Sequence, residues 1–84
     1  SIPVSANKSQ VGHSLGASAA IEAALGIEAM RTGIVLPTVN HVPDPAFADL
    51  DVVPDGPRNH CHEFFLSNSF GFGGTNCCIV FSGV

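Results

Sequence analysis

Basic residues are nearly missing from this chain of 84 residues: Lys8, Arg31 and Arg58 stand against seven acidic ones, for a formal net charge of -4. That leaves no electrostatic footprint for a nucleic acid or an anionic membrane surface. Long unbroken apolar runs are missing too. The longest apolar-rich stretch, Val11 to Met30, is interrupted by His13, Glu22 and Glu28. No charged segment leading into an apolar one opens the chain, so neither a signal peptide nor a membrane span is expected. Cysteine is scarce and odd in number. Cys61 and the adjacent Cys77 and Cys78 have no disulfide-framework spacing, which favours a reduced, cytosolic setting. Phosphate-binding signatures are absent: there is no G-x-x-x-x-G-K and no G-x-G-x-x-G. The length allows one small domain, of a size that is marginal alone and leaves room for a partner.

What is present falls into four parts. Ile2 to Ala6 is a short apolar run that reads as the end of a buried strand. Val11 to Thr32 is rich in alanine, and Ala20, Ala23, Ala24, Ile27 and Met30 recur at helical spacing. Arg31 lies near the end and Gly33 just beyond, so a helix is expected there. Its first residues carry little bulk, as in a buried, tightly packed helix. Leu36 to Asn40 reads as a short extended piece. Val42 to Asn59, punctuated by Pro43, Pro45, Pro54 and Pro57, reads as an ordered surface excursion. Glu63 to Phe70 and Thr75 to Ser82 read as two neighbouring strands, and the continuous hydrophobicity of Cys77 to Phe81 implies burial on both faces.

Three glycines around an aromatic mark Asn68-Ser69-Phe70-Gly71-Phe72-Gly73-Gly74-Thr75-Asn76 as a turn that exposes backbone to a ligand, although a plain hairpin would also use them. A second constellation is Lys8-Ser9-Gln10-Val11-Gly12-His13. A histidine in the first turn of a helix feels the positive end of the dipole, which suits a neutral imidazole that polarises a carbonyl or steadies an enolate. The alternative is a histidine that only satisfies a backbone group. Glu22 lies in apolar surroundings and either faces solvent or needs a cation, for which Lys8 is the one lysine in the chain. Glu28 and Arg31 form an ordinary helical surface pair. His60-Cys61-His62 would place its histidines on one side and Cys61 on the other, and without a second ligand cluster no zinc site is expected. Cys77 and Cys78 read as core residues, since no flanking base marks a nucleophile.

Val4 to Ala17, with its K-S-x-x-G-H-x-L-G-A pattern, then Ile21-Glu22-Ala23, Leu36-Pro37-Thr38-Val39-Asn40 and Asn68 to Asn76 together resemble the C-terminal part of β-ketoacyl synthases. The likeness is to the elongating condensing enzymes of type II fatty acid synthesis. The resemblance implies an α/β fold, the C-terminal portion of a thiolase-like α/β/α layered structure comprising a strand, a buried helix and two further strands. Residues 1–84 would then be an incomplete domain within the second of two related halves. It also implies decarboxylative Claisen condensation of an acyl thioester with malonyl-acyl carrier protein, with no cofactor and no metal.

On that resemblance, His13 matches the second histidine of a Cys-His-His triad, expected to hydrogen-bond the malonyl thioester oxygen. Lys8 matches the lysine behind the triad and Glu22 its acidic partner. Phe72, with Phe70, Gly71, Gly73 and Gly74 around it, matches a gating loop whose Phe72 amide contributes to an oxyanion hole. The nucleophilic cysteine and first histidine of the family belong to segments this sequence does not contain, and Cys61, Cys77 and Cys78 do not match the nucleophile. The chain alone is therefore expected to be inactive and to associate through uncovered apolar faces. Expected partners are acyl carrier protein and the remainder of the synthase, in a homodimer of the full enzyme, in the cytoplasm or an organellar matrix. Two other readings stay open: a polyketide ketosynthase, and a non-catalytic structural or chain-length subunit.

Overall fold

Glycine marks where both helices end. Lys8–Val11 forms one helical turn, α1, which stops at Gly12, whose φ of 76° lies in the left-handed region. A 3-10 turn, Leu15–Ala17, leads into the long helix α2, Ser18–Thr32. The expected helix start at Val11 is thus seven residues early, because Gly12 and Leu15, at φ 52°, both leave right-handed helical space. The expected end holds: Gly33 takes φ 72° and its N–H donates to Ala29 O at 2.9 Å. This is a computed structural model, and it describes residues 2–54 and 56–83.

The face that α2 turns inward carries Glu22, Leu25, Gly26, Ala29 and Met30, all half-buried, whereas Ala20, Ala24 and Ile27 are exposed. The expected buried helix is therefore only partly covered, since Ser18 is its one buried residue. Beyond Gly33 runs β1, Ile34–Val35, paired antiparallel with β2, Arg58–Asn59. This strand ends before the expected extended piece Leu36 to Asn40. There the ring of Pro37 supplies no N–H and Asn40 turns at φ 63°.

Between them the excursion is more deeply anchored than its composition suggests. A 3-10 turn at Pro45–Phe47 is capped by Asp44, whose carboxylate accepts from the Ala46 N–H at 2.9 Å. Val53 is fully buried with φ 54°, and its carbonyl accepts from the Thr38 N–H at 3.0 Å. The extended run Ile2 to Ala6 is half-exposed. It is tied to the excursion by one parallel bridge, Pro3 to Asp51, with the Val4 N–H donating to Asp51 O at 2.7 Å.

The two expected C-terminal strands are present as β3, Phe64–Phe70, and β4, Asn76–Ser82, in one antiparallel hairpin from Phe64 opposite Ser82 to Phe70 opposite Asn76. The α2 face packs on β3, where Phe65 stacks on Phe81 at 4.6 Å between ring centroids. Gly26 permits that approach: a Cβ there would lie 2.6 Å from Phe65 Cζ. Burial of β4 on both faces is not observed. Cys77 to Val80 are exposed, because only one face of the hairpin meets α2 and little of β4 lies under it. Cys77 and Cys78 are accordingly exposed thiols rather than core residues.

Candidate functional site

Lys8 is held on α1 with its ammonium donating to Glu22 Oε2 at 2.7 Å, across to the first turns of α2. The pair is partly sheltered, with side chains 43% and 20% exposed, so neither charge is left unpaired. Behind it, the segment before and within α1 is laced to Leu36–Val39. Ser5 Oγ lies 2.6 Å from Leu36 O, the Ala6 N–H donates to Thr38 Oγ1 at 3.1 Å, and the Val39 N–H donates to Ser9 Oγ at 2.8 Å. The Gln10 amide donates to Pro37 O at 3.0 Å. Sequence reasoning missed these tethers, although Ser9 and Gln10 stand inside the motif it singled out.

His13 follows Gly12 in the irregular stretch between α1 and the 3-10 turn, exposed and outside the first turn of α2. The helix-dipole argument therefore does not apply, because that field acts within the terminal turn. A different contact orients the ring: the Leu15 N–H donates to His13 Nδ1 at 2.9 Å. A backbone amide can only donate, so Nδ1 accepts and the neutral ring carries its proton on Nε2. Nε2 is thus left as the donor of an exposed ring, and the positive φ of Leu15 accompanies the bond.

At the far end of β3 the glycine segment closes the hairpin, with the Gly71 N–H donating to Thr75 O at 2.5 Å. Gly73 and Gly74, at φ 85° and 86°, need glycine for their conformation, while Gly71 does not and sits 3.4 Å from Thr75 O at its would-be Cβ. Phe72 stands fully in solvent at the tip, and its N–H meets no acceptor among the described residues.

The structure brings Lys8 and Glu22 together and places Phe70 with them along one cleft of about 600 Å³. No hydrogen bond or ring contact links His13 or Phe72 to that cleft among the described residues. His60 and His62 stack at 5.9 Å on the cleft wall, while Cys61 Sγ sits 3.3 Å from the would-be Cβ of Gly33. Among the described residues no three of His, Cys, Asp and Glu converge to hold a metal ion, and no helix is long and apolar enough to cross a membrane.

Comparison with known proteins gives these positions a context. The family profile described as β-ketoacyl synthase, C-terminal domain, matches residues 1–42. The chain is 40% identical over 81 residues to chloroplastic 3-oxoacyl-(acyl-carrier-protein) synthase I of Arabidopsis thaliana, covering 96% of this chain and 17% of that protein. It is 42% identical over 83 residues to 3-oxoacyl-(acyl-carrier-protein) synthase 2 of Coxiella burnetii, covering 99% of this chain and 20% of the relative.

Among solved structures, a β-ketoacyl synthase from Burkholderia phymatum superposes with TM-score 0.91 at 43% identity, over 99% of this chain and 21% of that one. A chain from a type II PKS acyl-carrier protein in complex with its ketosynthase, bound to the hexaketide, superposes with TM-score 0.90 at 36% identity, over 99% and 20%. The α/β arrangement is thus that of ketosynthases, the thiolase-like fold, and the chain spans about a fifth of the length of the relatives it matches. With half its length matched by the profile and nearly all of it aligned to these synthases, the chain belongs to the β-ketoacyl synthase C-terminal domain family.

Proposed function

We propose that this chain is the C-terminal part of the second thiolase-like half of a 3-oxoacyl-acyl carrier protein synthase, and that it supplies half of a condensing site. The observation that carries the reading is the Leu15 N–H bond to His13 Nδ1, which leaves Nε2 as the donor of the neutral ring, within a segment matched by the family profile. In the proposed reaction, malonyl-acyl carrier protein loses CO₂ and the bonding pair becomes a thioester enolate, whose oxygen accepts from His13 Nε2–H. The enolate carbon then attacks an acyl thioester held on a cysteine of the remaining synthase. A carbon–carbon bond forms, the carbon–sulfur bond to that cysteine breaks, and the thiolate leaves.

In this reading the Phe72 amide donates to oxygen that gains charge and the Phe72 ring gates the acyl and malonyl sites, while Gly73 and Gly74 let the loop move. Lys8 and Glu22 form the charged support behind His13. The partners are acyl carrier protein and the rest of the synthase in a homodimer, in the cytoplasm or an organellar matrix. A ketosynthase of polyketide assembly is the second reading, favoured by the structural likeness to a type II PKS complex. Identities of 40 to 45% to 3-oxoacyl-acyl carrier protein synthases, against 36% to that complex, favour fatty acid elongation.

The test is complementation. The 84-residue chain alone and the chain co-expressed with the part of the Burkholderia phymatum synthase that it does not match are assayed for 3-oxoacyl product from acyl and malonyl carrier proteins. The isolated chain gives none and the complex condenses. Condensation by the isolated chain, or none by a well-formed complex, defeats the proposal.

A further inference from the structure

A single helical turn does not sustain itself, and α1 has only Lys8–Val11. The Asn7 side chain at its N-cap makes no capping bond. Its start is fixed instead through the peptide groups of Ala6. The Ala6 carbonyl accepts from the Ser9 hydroxyl at 2.8 Å, and the Ala6 N–H donates to Thr38 Oγ1 at 3.1 Å. Thr38 is itself anchored, because its own N–H donates at 3.0 Å to the carbonyl of Val53, whose side chain is fully buried. One residue thus couples the start of α1 to a buried point of the excursion.

The other end of α1 leads through Gly12 and His13 to Leu15. Among the described residues three that are not glycine have positive φ: Asn40, which suits that conformation, and Leu15 and Val53, which do not. Such angles persist only where the surroundings over-determine them. Burial holds Val53, and Leu15 is held from its two sides. After it comes α2, packed on β3; before it comes α1. The link between these two helices sets the Leu15 backbone, and with it the N–H that meets His13 Nδ1. The Lys8–Glu22 pair also joins α1 to α2, but an ion pair between long, partly exposed side chains fixes a position only loosely.

We infer that Thr38 is a positioning residue for His13: its hydroxyl clamps the start of α1 and so holds the Leu15 turn that leaves the His13 proton on Nε2. Without that hydroxyl the Ala6 N–H loses its acceptor and α1 shifts. Leu15 then relaxes toward right-handed angles, the bond to Nδ1 breaks, and both tautomers of the ring populate. The effect on rate rests on the synthase reading, whereas the effect on the ring does not.

Two measurements test the clamp. In the chain alone with isotope-labelled histidine, the ring nitrogens of His13 are assigned by their loss in His13→Ala. They show one tautomer in the natural chain and averaged shifts in Thr38→Val, which keeps the shape and removes the hydroxyl. Thr38→Ser retains the natural pattern. In the complex co-expressed with the unmatched part of the Burkholderia phymatum synthase, Thr38→Val lowers malonyl decarboxylation roughly tenfold and leaves acyl transfer onto the enzyme unchanged. Thr38→Ser restores the rate. Thr32→Val, which removes a hydroxyl bonded to Glu28 O at the far end of α2, changes neither reading. If Thr38→Val does not fold, Ser5→Ala, which removes the neighbouring hydroxyl at 2.6 Å from Leu36 O, is read in the same way. If the chain alone associates, the two rates in the complex decide.

A single His13 tautomer in Thr38→Val, equal loss of both partial reactions, or the same effects from Thr32→Val overturns the clamp. An averaged tautomer with full decarboxylation keeps the clamp and removes the enolate role of His13. A single tautomer in Thr38→Val within an active complex does the reverse.

Discussion

Gly26 shows how much one missing methyl group decides. Glycine inside a helix costs about 1 kcal/mol relative to alanine, so Gly26→Ala on an open helix face would stabilise. Here the added Cβ meets the Phe65 ring, and that ring is itself pinned by stacking on Phe81. The expected result is a net loss of up to about 2 kcal/mol, seen as a lower urea midpoint at unchanged slope. A higher midpoint would mean that α2 and β3 separate easily. The ion pair of Lys8 with Glu22 was legible in the sequence as a need, an apolar stretch with one carboxylate and one lysine in the chain. The partner of His13 was not, because it depends on the backbone angle at Leu15, which no side-chain pattern reports. The left-handed glycines of the hairpin tip were legible at Gly73 and Gly74, while Gly71 serves closure of the turn instead.

At the scale of elements, the C-terminal hairpin was readable because its β-branched and aromatic residues agree with its turn. The beginning of α2 was not, since alanine-rich sequence continues through a break made by two backbone angles. The excursion hid its anchor for a similar reason: prolines announce irregularity, not that Val53 plunges inward. Asp51 holds this excursion, accepting from the Arg58 guanidinium and from the Val53 N–H at 3.2 Å while its own carbonyl holds Val4. The hydrogen bond from Arg58 keeps the Asp51 carboxyl below its ordinary value. Its folded value lies below the unfolded one, so the contribution is complete above about pH 4 and is lost as pH falls from there through the folded value. Urea midpoints measured from about pH 6 down to about pH 3 should therefore fall further for the natural chain than for Asp51→Asn. Identical pH dependence of the two would show that the Arg58 contact contributes nothing to the fold.

At the scale of the whole molecule, the radius of gyration of 13.1 Å exceeds the ~12 Å expected for 84 compact residues, in keeping with the large exposed area. Both α2 and the hairpin present apolar residues on the side they do not share. A pattern made for two-sided burial reads as buried in the sequence, and it is exposed here because one layer of helix covers only one side of the sheet. The fold class was therefore readable from the motifs and strand pattern, whereas burial was overestimated wherever covering elements are not contributed by these residues. The central claim, that His13 stabilises an enolate, is tested most directly in the complemented synthase carrying His13→Ala. The account predicts that malonyl decarboxylation falls by about 10² to 10³ while transfer of the acyl group onto the enzyme is little changed. Equal loss of both steps, or decarboxylation at the unsubstituted rate, would contradict it.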